Sequence, residues 1–183
     1  MPIDVIDYDA AWPAHAADAR AELQAALPGV FLAIEHCGST SVPGLAAKPI
    51  IDLMAAADEV DLVAQRDDAL SALGYHRFDT GMPGRLFYFR DRDGRHTHHL
   101  HVVPARDFAT RNELLLRDYL RTHPADSARY AALKRQLASV VVDGDEYTRG
   151  KTDLVQVLTD AARAERGCNP SPSGRSNPCQ LRA

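Results

Sequence analysis

The apolar positions alternate along the chain between helical and strand-like spacing. Asp9–Leu27 places Trp12, Ala16, Ala19, Leu23 and Ala26 on one helical stripe, and Pro28-Gly29 supplies the stop. Val30–Cys37 is a short apolar run of strand length. After a turn rich in Gly and Pro, Pro49–Ala55 is a second such run. Asp58–Leu73 returns to helical spacing through Val60, Val63, Ala64, Leu70 and Leu73, with Gly74 as its terminator.

Leu86–Arg90 and Thr97–Val103 flank Asp93-Gly94, a strong two-residue hairpin signal. An unbroken type I′ register pairs Arg92 with Arg95, Phe89 with His98, Tyr88 with His99 and Leu86 with His101. Phe87, Phe89, His98, Leu100 and Val102 then share the core-facing side. Leu86, Tyr88, Arg90, Thr97, His99 and His101 share the other, and His96 and His98 belong to the rim or the solvent. Beyond Pro104 the pattern is helical over Asn112–Arg121, Asp126–Val142 and Asp145–Glu165, with Asp126 or Ser127 as candidate caps. Strands early and helices late predict an α/β fold: a mixed sheet containing a hairpin, flanked by helices, with a helical C-terminal layer.

Composition narrows the function classes. The 183 residues are 45% apolar and 25% charged, ordinary for a chain that buries a core, and the net charge of −4 offers no broad basic face for extended nucleic acid. No run reaches the roughly 20 apolar residues of a membrane span. The segment Met1–Arg20 carries acids and no signal-like apolar core, so the expectation is a cytoplasmic protein without membrane partners. Residues 167–183 are rich in Gly, Pro, Ser and Asn and read as a disordered tail, with Cys168 and Cys179 incidental; residues 3–166 read as the folded domain.

The densest chemistry lies in His36-Cys37-Gly38-Ser39-Thr40-Ser41 and the following Lys48 and Asp52. A strand ending in Gly-Ser and turning into a helix is a recipe for holding phosphate, through close backbone N–H groups at Gly38 and the hydroxyls of Ser39, Thr40 and Ser41. Lys48 adds a point charge, and His36 a further donor. The same residues also suit a plain turn and cap. Asp52 stands in an otherwise apolar strand, where an unpartnered carboxylate is costly, so it needs a cation, a metal or hydrogen-bond donors. His99 and His101 share a strand face and, beside Asp52, form either a three-ligand set suited to zinc, manganese or iron, or polar lining of a pocket. Arg85, Arg117, Arg121 and Lys151 are the remaining candidate bases of an anion pocket, and Glu35 is expected to pair with a base.

Ile34–Met54 (IEHCGSTSVPGLAAKPIIDLM) resembles the signature of the GrpB family. The resemblance continues through His98–Val102, Leu114–Pro124, Tyr130–Ala138 and Tyr147–Val155. That family is similar to the polymerase-beta-like nucleotidyltransferases, and the resemblance implies a Gly38-Ser39 turn gripping a nucleoside triphosphate. It also implies Asp52 as the first carboxylate for a divalent magnesium or manganese ion, with Arg117 and Lys151 reaching the phosphates from the helical layer. Met54 occupies the position of the second carboxylate, which opens His99 and His101 as substitute ligands and zinc as a further candidate metal.

Three functions follow as expectations. The first is metal-dependent nucleotidyl transfer from a nucleoside triphosphate to a small-molecule or protein acceptor, with Asp52 and Lys48 catalytic. The second is a non-catalytic binding or accessory module, on the strength of GrpB-like domains fused to dephospho-coenzyme A kinase. The third is a single-metal hydrolase or lyase built on Asp52, His99 and His101.

Overall fold

A computed structural model describes residues 3–167 of the chain. The cysteines at 168 and 179, and all of the expected tail except Gly167, lie outside the described residues.

Five strands form one mixed sheet in the order β1-β2-β5-β4-β3. They are β1 (Ala33–Cys37), β2 (Ile51–Ala57), β3 (Tyr75–Arg77), β4 (Leu86–Arg92) and β5 (Arg95–Pro104). The β2–β5 pair is parallel; β1–β2, β4–β5 and β3–β4 are antiparallel. Among the described residues eight α-helices accompany the sheet: α1 (Trp12–Ala26), α2 (Val60–Ala64), α3 (Asp67–Ala72), α4 (Ala105–Phe108), α5 (Asn112–Thr122), α6 (Pro124–Val140), α7 (Gly144–Gly150) and α8 (Thr152–Glu165).

One sheet face is packed throughout. Trp12, Ala16, Ala19 and Leu23 of α1 meet Ile34, Leu53, Ala55, Leu100 and Val102, and Val63 and Leu70 of α2 and α3 join the same cluster. The other face is divided. Met54, Cys37 and Val103 are sealed by Leu114 of α5 and by Phe108, while Asp52 and His99 sit toward the strand ends, beyond that seal. The helical layer docks through the β1–β2 connection, where Val42, Leu45 and Ala46 pack on Leu120, Tyr130 and Leu158.

The architecture is the one the patterning predicts, a mixed sheet with a hairpin and a late helical layer. The elements differ in detail. Asp58–Leu73 is two short helices, and Asp145–Glu165 is broken at Lys151, where α7 ends. Gly150 fits there because a Cβ would come within 2.7 Å of Leu137. The cap of α6 is His123, with no side-chain bond from Asp126 or Ser127; Asp143 is the capping carboxylate, accepting from the Glu146 amide at 2.8 Å.

The hairpin register is the consequential correction. Asp93 and Gly94 both take positive φ, as a type I′ turn requires. A bulge then inserts Thr97, whose hydroxyl donates to the Arg90 carbonyl at 3.1 Å, and every pair beyond it slips by one. Phe89 therefore pairs with His99 and Phe87 with His101, while Arg90 pairs with His98. The two phenylalanines line the histidine face and Tyr88 enters the core. His98 is buried there beside Tyr75, away from the solvent expected for it.

Candidate functional site

Asp52 and His99 are opposite one another on adjacent parallel strands, and Met54 is opposite His101, so the period-two pleat puts all four on one face. Asp52 Oδ1 lies 2.7 Å from His99 Nδ1, and the Asp52 side chain retains 25% exposure. Asp52, His99 and His101 each offer a donor atom within 4.8 Å of the others, the geometry of a possible metal set. Burial and the neighbouring Arg85 guanidinium hold His101 well below the usual imidazole range, so it is neutral. Arg85, itself buried, donates to His101 Nδ1 and reaches Glu113 at 2.9 Å.

Gly38 is where the chain closes over this carboxylate. Its φ of +68° is left-handed, and a Cβ would stand 2.2 Å from Asp52 Oδ2. Gly38→Ala is expected to lower stability by about 2–3 kcal/mol through backbone strain and that clash. Urea unfolding monitored by circular dichroism checks it; an unchanged midpoint contradicts the close approach.

The hydroxyls after Gly38 have different roles. Thr40 and Ser41 are buried and turned inward: Thr40 Oγ1 meets His36 Nε2 at 2.9 Å and donates to the Ile50 carbonyl, and Ser41 Oγ donates to the Gly38 carbonyl at 2.6 Å. They hold the turn rather than present donors. His36 is pushed down to about 4 by burial and is neutral. Ser39 is half-buried and faces the Tyr130 phenol, whose hydroxyl burial pushes up to about 12.

Three lysines converge beside this turn. Lys48, which burial shifts downward, lies 5.9 Å from the centre of the Tyr147 ring, and Lys151 lies over the same ring at 4.2 Å. Lys134 of α6 is 2% exposed, lies 4.5 Å from the Tyr130 ring centre and donates to the Ala46 carbonyl. Burial, reinforced by Lys151 and Arg135 and opposed by Asp52, brings Lys134 down to about 7. A buried ammonium with no carboxylate partner among the described residues is expensive to keep, and such perturbed groups concentrate at functional sites. Sequence reading missed Lys134 because Leu133 and Leu137 marked the segment as core. The signal was its position four residues after Tyr130, on the buried row of the helix.

Arg117 and Arg121 are held elsewhere. Arg117 donates to Glu35 at 2.5 Å, to the His36 carbonyl and to Asp118; Arg121 donates twice to the Ser41 carbonyl. They tie α5 to β1 and to the turn. Glu35 thus pairs with a base.

The fold of this sheet and its flanking helices is similar to that of two solved polymerase structures. The Cid1 poly(U) polymerase with magnesium and 3′-dATP bound superposes with a TM-score of 0.53 at 14% identity, over 73% of this chain and 43% of that one. The GLD-2/RNP-8 complex gives 0.55 at 15% identity, over 86% and 61%. Both likenesses are of fold alone.

The chain belongs to the GrpB family: residues 2–161 match the family described as GrpB protein. A crystal structure of GrpB from Enterococcus faecalis is similar with a TM-score of 0.84 and 31% identity, covering 90% of this chain and 99% of that one. The UPF0157 protein PA4798 of Pseudomonas aeruginosa is 43% identical, over 90% of this chain and 69% of that protein. The UPF0157 protein YqkA of Bacillus subtilis is 35% identical over 91% of this chain, which spans about half (49%) of YqkA's length. A dephospho-CoA kinase of Mycolicibacterium paratuberculosis is 29% identical over 79% of this chain and 41% of its own length. Among the described residues, no helix is long and apolar enough to cross a membrane.

Proposed function

We propose that this protein binds a nucleoside triphosphate with a divalent ion and transfers its nucleotidyl group to a small-molecule or protein acceptor. The observation that carries the reading is the convergence of Lys48, Lys134 and Lys151 beside Gly38-Ser39, with Lys48 and Lys134 coupled electrostatically to Asp52. Cations for phosphate and a carboxylate for a metal occur there together, as phosphoryl chemistry requires.

The residues fit a hard divalent ion. Asp52 is partly exposed, and its Oδ1 is fixed by His99. Magnesium is commonly held by one or two carboxylates, with water and substrate phosphates completing its shell. A divalent ion bound at Asp52, magnesium or manganese, would neutralise charge on the reacting phosphate.

The chain's own residues supply the rest. Lys48, Lys134 and Lys151 hold the triphosphate and balance the charge that gathers on departing pyrophosphate. Gly38 allows the phosphates to approach the backbone, and Ser39 adds a hydroxyl donor. The acceptor oxygen or nitrogen bonds the α-phosphorus as the bond to the pyrophosphate oxygen breaks, and the acceptor's proton leaves to water. Arg85 fixes the His101 ring.

The test is incubation with each α-labelled nucleoside triphosphate, magnesium or manganese, and a mixture of small-molecule and protein acceptors. Label is expected to move to an acceptor with release of pyrophosphate, and its failure to move with any triphosphate contradicts the reading.

A second reading, a binding or accessory module, is favoured by Met54. It is fully buried at the position of a second carboxylate, and it packs on Cys37, Val103 and Leu114. The similarity to a dephospho-CoA kinase supports the same reading. Stabilisation by nucleotide without turnover, insensitive to metal, would mark it.

A further inference from the structure

The slipped hairpin register brings a residue to the site face that an unbroken register sends away from it. His96 Nε2 stands 2.7 Å from His99 Nε2. Each ring is held at its other nitrogen by a carboxylate: His96 Nδ1 lies 3.0 Å from Asp91 Oδ1, and His99 Nδ1 lies 2.7 Å from Asp52 Oδ1. An ionised carboxylate can only accept, so Nδ1 carries the hydrogen in both rings. A neutral imidazole with its hydrogen on Nδ1 offers a lone pair at Nε2, so the 2.7 Å contact calls for a cation between the rings, either a shared proton or a metal ion bound by both nitrogens. Carboxylates gripping the far nitrogens are also how metal-ligating imidazoles are oriented in general.

We infer that His96 and His99 bind a zinc-class transition ion through their Nε2 atoms, with Asp91 and Asp52 as the carboxylates that orient the two rings. Zinc–nitrogen bonds of about 2.0–2.1 Å in a tetrahedral shell set the two nitrogens about 3.3 Å apart, so the rings need only separate by roughly 0.6 Å. His96 lies near the hairpin end with 35% of its side chain exposed, which gives it that freedom and gives the ion an entry path. Phe89 stacks on His96 and Phe87 packs against His99, fencing the pair with apolar rings.

His101 is not a third ligand in this arrangement. A guanidinium only donates, so Arg85 fixes the lone pair of His101 on Nδ1 and the hydrogen on Nε2. That ring offers the cavity an N–H. Two protein nitrogens leave the remainder of the ion's shell to water or a ligand oxygen, so the ion exchanges rather than staples the fold. The site goes beyond the nucleotide reading and needs no nucleotide to form.

Cobalt(II) titrated into the metal-free full chain, followed by visible absorption and by competition with zinc, tests it. One ion per chain is expected, with affinity at least about 10-fold weaker in His96→Ala. About a 10-fold loss is expected in Asp91→Asn, which removes only the orienting charge. His101→Asn is expected to bind like the parent. Parental binding in His96→Ala, loss of binding in His101→Asn, or no binding by the parent overturns the inference; loss in His101→Asn moves the ion to the Asp52–His99–His101 set. Magnesium–nucleotide binding, measured in the same His96→Ala protein, is expected to persist, so failure of the zinc site and failure of the nucleotide reading are separately visible.

Discussion

Lys134→Met is expected to weaken triphosphate binding by about 10–100-fold while raising thermal stability. The two effects have opposite signs because one buried charge causes both. A charge-assisted hydrogen bond to phosphate contributes about 1.5–3 kcal/mol, which is one to two decades in affinity. Without phosphate, the same ammonium stands 2% exposed with the Ala46 carbonyl and the Tyr130 face as its described company, and methionine fills that space without a charge to desolvate. The pH dependence has a definite direction. Lys134 is held at about 7, below the ordinary 10.5, so between those values the unfolded chain binds more protons than the folded one. Stability from this group therefore rises with pH across that window, and its destabilising contribution is fully present below about 7. Triphosphate affinity runs the other way: it falls as pH rises through 7 and the ammonium discharges. Binding at pH 8 draws a proton onto Lys134, visible as a buffer-dependent heat in titration calorimetry. Lys134→Met loses both the proton uptake and the affinity slope. An affinity unchanged in Lys134→Met removes this lysine from the phosphate site.

Asp52→Asn is expected to lower nucleotidyl transfer by about 10³-fold with little change in folding. The amide is nearly the same shape and its oxygen can still accept from His99 Nδ1, so near-ultraviolet dichroism and the melting midpoint stay close to the parent's. What disappears is the anionic oxygen that holds a hard cation against the phosphates, and electrostatic groups of this kind carry losses of about 10²–10³ or more when removed. Glu35→Gln is the control. Glu35 lies on the same sheet face but pairs with Arg117, so transfer should stay within about twofold. Transfer that survives Asp52→Asn, or falls equally in both variants, contradicts the assignment.

Much of this arrangement is readable from residues alone, and the exceptions have physical causes. The glycine turn, Asp52 and the His99/His101 face follow from period-two alternation and from the cost of a carboxylate in an apolar strand. The register of the hairpin does not, because a single bulge residue, Thr97, reverses which β4 side chains face which layer, and no local signal marks it. His96 was lost to the site for the same reason. The strand β3 is three residues long and follows a helix stop, too short for alternation to register. Thr40, Ser41 and Arg117 have the chemistry of phosphate donors, and only tertiary packing reveals that their hydrogen bonds go to the turn and to β1. Lys134 was legible in principle, since a lysine four residues from Tyr130 on the buried row is anomalous in a core stripe.

The most direct measurement is a crystal structure of the protein with a non-hydrolysable nucleoside triphosphate and manganese. The expected result is an anomalous manganese peak against the Asp52 carboxylate, with the phosphates lying along Gly38-Ser39 and within reach of Lys48, Lys134 and Lys151. Phosphates seated away from those lysines, or manganese bound without Asp52, would contradict the account.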